Sequence, residues 1–269
     1  MDSTAAVTEK FRFLASCASG KLAIAILSGL LAACAGSEPP RLNSAPAPSL
    51  AELKQRVSEI RALPFKQVTD QSGLPDLSSA AVADNLGGQS SAQIARVYKR
   101  VGLLAESVDF AKAMLEFARL KRLAVYEAGR ERLVIAPEAA RLGEALAGER
   151  RGDADKTAAV LALTWALQDQ HFRWSDRVKG LGSEDRKLAF HALADGDALL
   201  VALNYLTKYR EPLNWAQATN RFAAELEKIG GHLPELLKQE LVFPYREGSQ
   251  FAQWAFLANG WSGVNALFA

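Results

Sequence analysis

Cysteine, histidine and methionine are scarce in this chain of 269 residues, which has two cysteines, three histidines and two methionines. Both cysteines lie within the first 34 residues, so the remainder has no thiol for a disulfide framework, a cysteine metal site or thiol catalysis. A net charge of only +2 argues against nucleic acid as a partner. The chain also lacks a G-x-S-x-G elbow, a phosphate-binding loop and a dinucleotide fingerprint, which removes the commonest sequence signals of catalysis.

The first 34 residues have the pattern of an export signal. Basic residues precede an apolar stretch, Leu22–Ala33, which has signal-peptide length and is too short to cross a bilayer comfortably. It runs into the letters LAAC at Leu31–Cys34, which resemble the lipobox of bacterial lipoproteins, where a cysteine is lipidated and becomes the new N-terminus. The similar letters LASC, ending at Cys17, have no adequate apolar run before them. We therefore predict lipidation at Cys34, with an uncleaved signal anchor or a simple cleaved signal as alternatives.

The predicted lipidation at Cys34 divides the chain into three regions. They are a lipoprotein signal peptide over 1–33, the lipidated Cys34 with a Pro/Ser/Ala-rich tether over 34–49, and a folded domain over 50–269. We expect the domain to be exported and lipid-anchored in the bacterial cell envelope, on the periplasmic side, and at the outer membrane if the cell is Gram-negative. The expected partner is an unidentified envelope protein or membrane complex.

The domain has mostly helical patterns. Ser49 and Glu52 have capping-box spacing, which predicts a helix from there to about Leu63. Helices are also expected over 91–104 and 107–120, with a loop or short helical pieces in the turn-rich stretch 70–91.

One small β element interrupts the helices. Two short runs, Leu123–Tyr126 and Arg132–Ala136, flank a turn containing Gly129 and predict a hairpin. The predicted fold class is therefore mostly α, formally α+β. Helix breaks are expected near Gly152, 180–182, 211–212, 230–231 and Pro244.

The most particular stretch is LALTWALQDQHF, Leu161–Phe172, where an apolar helix runs straight into polar residues. From 158 to 167 every residue except Thr164 is apolar, which is typical of a helix buried within its domain. We expect the polar end to form buried hydrogen bonds that pin the helix, through Gln168, Asp169 and His171.

The end of this stretch, TWALQDQHF, resembles the H-E-x-x-H-A-L-Q-D-Q-H-F helix of a bacterial family of HExxH (zincin-type) metallopeptidases. Four further stretches resemble segments of that family in the same order and cover nearly the whole exported domain: IRALPFKQV (60–68), LAVYEAGRERLVI (123–135), ALADGDALLVALNYL (192–206) and FPYREGSQFAQWAFLANGWSGVNALF (243–268). The resemblance implies a zincin-like helical domain.

The same resemblance implies that the zinc site is lost. The family's two zinc-binding histidines fall on Leu161 and Trp165, and its general-base glutamate falls on Ala162. The further glutamate ligand falls on Asp195. Because leucine and tryptophan do not hold Zn²⁺, we predict a pseudopeptidase with no catalytic residue, metal or cofactor, used for protein binding or as a structural subunit of a membrane assembly.

The alternative is an active hydrolase with a relocated metal site. His191 and Asp195 are four residues apart, which places both on one face of a helix, and His171 is a further candidate ligand. A hydrogen-bonded or ionic pair, or two surface residues, explains the same spacing.

Two surfaces are candidates for binding. The first is a groove at the former peptidase cleft, for which we expect Leu161, Trp165, Tyr126, His171 and Tyr245. The second is the aromatic-rich C-terminal segment, which either completes the core as two amphipathic helices or exposes apolar surface to a partner. Its five aromatic residues are Phe251, Trp254, Phe256, Trp261 and Phe268.

Overall fold

Helices form 78% of the residues that the computed structural model describes, which confirms the mostly α prediction. The described residues are 48–66, 91–121, 123–127, 132–148, 154–209 and 213–269. Their elements are α1 (Leu50–Arg61), α2 (Ser91–Arg100), α3 (Phe110–Leu120), β1 (Ala124–Glu127), β2 (Arg132–Ile135), α4 (Pro137–Ala147), α5 (Ala154–Phe172), α6 (Trp174–Gly180), α7 (Glu184–Tyr209), α8 (Trp215–Ile229) and α9 (Glu235–Leu267).

The first helices begin at the residues that cap them. Ser49 Oγ accepts the backbone N–H of Glu52 at 3.2 Å, as the capping spacing predicts. Asp109 caps α3 in the same way, accepting the backbone N–H of Lys112 at 3.1 Å. The helices expected over 91–104 and 107–120 are shorter than predicted, because Gly102 turns the chain with a φ of +77° and α3 starts only after Asp109. The stretch expected to be a loop over 70–91 lies outside the described residues except for Ser91.

The predicted β element is a two-stranded antiparallel pair. Tyr126 lies opposite Leu133, and Ala124 lies opposite Ile135. The turn around Gly129 lies outside the described residues. Pro137 occupies the first turn of α4, where its missing N–H removes no helical hydrogen bond.

The core forms around α5 and α7. The apolar part of α5 is buried on all sides over 158–163, as its composition predicts, and α7 is buried from Ala192 to Leu203. The longest helix, α9, lies along α7. The two backbones approach most closely at Gly196 and Gly248, where an added Cβ at either position would overlap the backbone of the other helix. This close approach brings Asp195 of α7 and Tyr245 of α9 into the interior.

The helix breaks are only partly those expected. Breaks occur at 180–182 and 230–231, whereas Gly152 and 211–212 lie outside the described residues. The break expected at Pro244 was wrong, since Pro244 is buried within α9 and the helix continues through it. The non-helical backbone lies instead at Asn259 and Gly260, where Gly260 has a φ of +60° that favours glycine.

All the described residues fall within one compact unit that spans Ala47–Ala269. None of the helices described within it combines the length and apolar character that a bilayer span requires. The predicted signal peptide, Cys34 and the tether up to residue 47 lie outside the described residues.

Candidate functional site

The residues on which the sequence resemblance places a zinc-binding helix lie in the middle of α5 and are packed into the core. Leu161 is 4% exposed and Ala162 is 1% exposed. Trp165, one turn later, is partly buried against the same core. An apolar helix surrounded by helices places hydrocarbon side chains here, so these three residues offer no lone pair for a metal or a proton.

A small cavity of about 20 Å³ remains beside these residues. That volume is enough for about one water molecule. Leu161, Trp165 and Tyr245, three of the five residues predicted to form a groove, therefore line the same small cavity. The rest of the lining is Leu120, Lys121, Leu123, Ala124, Ala139, Leu142, Ala158 and Leu226.

The two other predicted groove residues lie along the segment that follows α1. Tyr126 is buried and meets the ring of Phe65 edge-on, with ring centroids 6.3 Å apart. His171 is partly buried, and its Nε2 donates to the carbonyl of Pro64 at 2.7 Å, which holds the end of α5 against this segment. These contacts give Tyr126 and His171 a structural role at this position.

Asp195 is buried in α7 and keeps a proton more readily than an ordinary aspartate. Burial raises its pKa to about 7, although the charge of Lys121 and the indole of Trp165 both act to lower it. Trp165 Nε1 faces this carboxyl without the geometry of a full hydrogen bond and has no hydrogen-bond partner among the described residues. The pKa of Tyr245 is also raised, by burial and then by the charge of Asp195. Asp195, Trp165 and Tyr245 thus form a buried polar cluster around a carboxyl whose pKa is raised.

A second polar group joins α1, α5, α7 and the C-terminal end of α9. Arg61 Nε donates to Asp197 Oδ2 at 3.0 Å, and both side chains are fully buried. Gln168 Nε2 donates to the same oxygen at 2.9 Å and to the carbonyl of Ala194 at 3.0 Å. Arg61 also donates to Asn265 Oδ1 at 2.6 Å. The prediction that Gln168 forms buried hydrogen bonds that pin α5 is confirmed.

Sequence reasoning did not identify Arg61 as a buried residue. An arginine in the last turn of a helix is usually a solvated charge that complements the helix dipole. The guanidinium instead lies beside the rings of Trp261 and Phe172, at 4.8 Å and 5.9 Å from their centroids. A hint in the sequence is Asp197, which lies with Asp195 in the mostly apolar stretch 192–203 of α7.

The residues of the proposed relocated metal site are in different surroundings. His191 is partly buried and packs edge-on against Trp174, with ring centroids 5.7 Å apart. The remaining histidine, His232, was not part of that predicted site; it lies in the α8–α9 turn, 3.3 Å from Glu116 of α3. Within the described ranges, no group of three or more histidine, cysteine, aspartate or glutamate side chains is arranged to hold a metal ion.

A groove of about 760 Å³ lies between α3 and the α8–α9 turn. Its volume is that of a ligand or peptide site. The sequence gives no sign of it, because it depends on the packing of two segments more than a hundred residues apart. Its lining mixes apolar and charged residues: Val108, Asp109, Lys112, Ala113, Leu115, Glu116, Arg119, His232, Leu233 and Pro234.

The C-terminal aromatic residues divide into two groups. Phe268 is 1% exposed and stacks on Phe172 with ring centroids 4.6 Å apart, while Phe256 and Trp261 are partly buried. Phe251 and Trp254 are 47% and 64% exposed. The segment therefore both completes the core and exposes apolar surface.

Comparison with known proteins identifies no relative, since no protein-family model, curated protein or solved structure matches the chain.

Proposed function

We propose that this chain is a bacterial envelope lipoprotein, lipidated at Cys34, whose domain over 50–269 is a degenerate zincin-like peptidase. The domain acts by binding a protein or as a structural subunit of a membrane-associated assembly, and it does not hydrolyse peptides. The observation that carries the proposal is the packing of Leu161 and Ala162, which fall where the resemblance places a zinc ligand and the general base.

The packing around α5 supports loss of the site more strongly than the sequence alone. Leu161 is nearly fully buried, and burying a side chain of this size contributes about 1.5–3 kcal/mol to stability. The remaining cavity of about 20 Å³ leaves no room for a metal ion together with a peptide. Substitution has filled the site with hydrocarbon, so the fold is stabilised where an active peptidase would keep an open polar cleft.

A binding role is better supported at the larger groove than at the former cleft. The groove between α3 and the α8–α9 turn has the volume that a peptide segment needs. Leu115 is exposed at its edge, and Lys112, Glu116 and Arg119 provide charges of both signs. An apolar contact surrounded by charged groups is the usual composition of a protein-binding site.

The experiment that tests the loss of catalysis measures zinc in the full chain purified from bacterial membranes. The chain is expected to bind no stoichiometric zinc and to cleave no peptide library. One equivalent of zinc that is lost on His191→Ala or Asp195→Asn would overturn the proposal and support the relocated site.

A restored variant makes the same experiment sharper. Replacing Leu161→His, Ala162→Glu, Trp165→His and Asp195→Glu recreates the family's ligand set in register, and the expected result is a gain of bound zinc. The matched control shifts the helix motif by one residue, with Val160→His, Leu161→Glu and Thr164→His, and is expected to bind none. Equal zinc in both variants would show that position on α5 has no bearing on binding.

Lipid attachment is tested separately by metabolic labelling with a fatty acid. Label is expected on the wild-type chain and on Cys17→Ser, and is expected to be lost on Cys34→Ser. Loss on Cys17→Ser instead would place the processing site at the earlier cysteine.

A further inference from the structure

The last helix exposes an apolar face that the core does not use. Phe251, Trp254 and Leu257 are 47%, 64% and 73% exposed, and their spacing puts them on one side of α9. We call these three residues the α9 apolar face. The rings of Phe251 and Trp254 are stacked, with centroids 6.0 Å apart and planes inclined by 13°. Large aromatic side chains fixed side by side in solvent indicate a surface with a binding partner.

The α9 apolar face lies in a segment without ionisable side chains. From Gly248 to Ala269 the sequence contains no aspartate, glutamate, lysine or arginine. On α9 the last ionisable residues before the face are Arg246, which pairs with Glu227, and Glu247, one turn before Phe251. Burial of the α9 apolar face against another surface therefore removes almost no charged group from water. The face is suited to an apolar or interfacial environment.

This chemistry fits the headgroup level of a lipid bilayer. Tryptophan accumulates at the membrane–water interface. A helix that lies in this plane carries tryptophan, phenylalanine and leucine on the apolar face that it buries at the acyl boundary. These three residues line neither the cavity beside Leu161 nor the groove between α3 and the α8–α9 turn. Exposed apolar side chains on one side of a helix can insert into a deformable lipid surface without a preformed pocket.

The predicted lipid anchor at Cys34 holds the domain close to a bilayer that the α9 apolar face can contact. Fifteen residues, Ala35–Ser49, separate Cys34 from the start of α1. Fully extended, they span at most about 50 Å, which allows the domain to turn its C-terminal helix to the membrane to which it is attached.

We propose that the α9 apolar face rests on the lipid bilayer and orients the tethered domain, so that Phe251, Trp254 and Leu257 enter the interfacial region. The attachment at Cys34 is part of the proposed function, and this inference depends on it only for where the contact occurs in the cell. Because the face is uncharged, contact does not require anionic lipid and is not weakened by salt.

The test reconstitutes the full chain into neutral phosphatidylcholine vesicles whose acyl chains carry bromine near the headgroup. Bromine quenches only tryptophans that lie in the bilayer, and the four other tryptophans are partly buried in the domain. Quenching of wild-type fluorescence is expected, with loss of that quenching in Trp254→Phe and a marked reduction in Phe251→Ser and Leu257→Ser. The matched controls Val97→Ser in α2 and Val101→Ser directly after it change exposed apolar residues and are expected to leave quenching at the wild-type value.

Three results would overturn the inference. The first is quenching that is absent from the wild-type chain or persists in Trp254→Phe, and the second is quenching that appears only with anionic lipid. In the third, Trp254 is shielded from aqueous iodide without quenching by bromolipid, and copies cross-link through α9, which would assign the face to a second copy of the chain. Fatty-acid labelling at Cys34 is independent of all three, so failure of the anchor and failure of the α9 contact are distinguishable.

Discussion

At the scale of single residues, Asp195 is a source of instability that depends on pH. Burial raises its pKa from 3.8 to about 7, so the folded chain holds this proton more tightly than the unfolded chain. The stability that protonation confers is fully present below the unfolded pKa and is lost as pH rises through about 7. A shift of this size corresponds to about 4 kcal/mol between the two limits.

The variant Asp195→Asn is expected to remove this loss. Its midpoint of urea unfolding should exceed that of the wild type at pH 8 and differ little at pH 4, because the amide mimics the protonated acid. The control is Asp176→Asn on α6, where Arg173 and then Lys179 lower the pKa of an exposed carboxyl. That control should give a small effect of opposite sign, and an equal gain at both pH values for Asp195→Asn would contradict the prediction.

Arg61 and Asp197 form the second residue-scale prediction. Both are fully buried, and burial raises the pKa of Asp197 although Arg61 and Gln168 act to lower it. Replacing Asp197→Ala leaves an uncompensated guanidinium in the core and is expected to destabilise the domain by about 3–5 kcal/mol.

The control for the buried Arg61–Asp197 ion pair is an ion pair at the protein surface. Glu184→Ala removes the partner of Lys187 at the start of α7 and is expected to change stability by less than about 1 kcal/mol. The double variant Arg61→Met with Asp197→Leu should lose less than Asp197→Ala alone, measured by urea unfolding. A larger loss in the double variant would mean that packing, and not charge, dominates at this position.

At the scale of elements, the contact between α7 and α9 depends on two glycines. Glycine in a helix interior costs about 1 kcal/mol relative to alanine, so its presence in both helices needs a compensating contact. At Gly196 and Gly248 a Cβ would overlap backbone atoms, which cannot move aside as a flexible side chain does. The close approach of α7 and α9 at these two glycines is the contact that compensates for their low helix propensity.

Gly196→Ala and Gly248→Ala are therefore each expected to destabilise the domain by about 1–3 kcal/mol or more, despite the higher helix propensity of alanine. Gly182→Ala is the control, because nothing lies within 4 Å of its Cβ position. Thermal unfolding followed by circular dichroism measures all three. A rise in melting temperature for Gly196→Ala would show that α7 and α9 separate easily.

At the scale of elements, the sequence predicts those structural features that are determined by residues close together in the chain. The capped start of α1, the strand pair and the burial of α5 follow from neighbouring residues, and the structure agrees with all three. The cavity beside Leu161 was not predictable, because Lys121 and Tyr245 line it together with Trp165 from distant parts of the chain. The path of α9 through Pro244 was also missed, since tertiary packing outweighs the local preference of proline for a helix end.

At the scale of the whole domain, the two ends of the described chain meet in one core. Arg61 at the end of α1 donates to Asn265 near the end of α9. Phe268 packs between Phe172 of α5 and Phe190 of α7, with ring centroids 4.6 Å and 6.0 Å away. Contacts between segments this far apart in sequence favour a single cooperative unfolding transition for the described unit.

Phe268→Ala tests this closure of the core from its C-terminal end. The side chain is 1% exposed, so its removal leaves a cavity among three elements and is expected to cost about 3–5 kcal/mol. Phe251→Ala is the matched control, because the same substitution at a side chain that is 47% exposed removes few contacts. Urea unfolding should show one transition in both variants, with its midpoint lowered only in Phe268→Ala. If Phe268→Ala instead produced two separate transitions, the C-terminal segment would be an independent unit, and the convergence of α1, α5, α7 and α9 would not govern the stability of the domain.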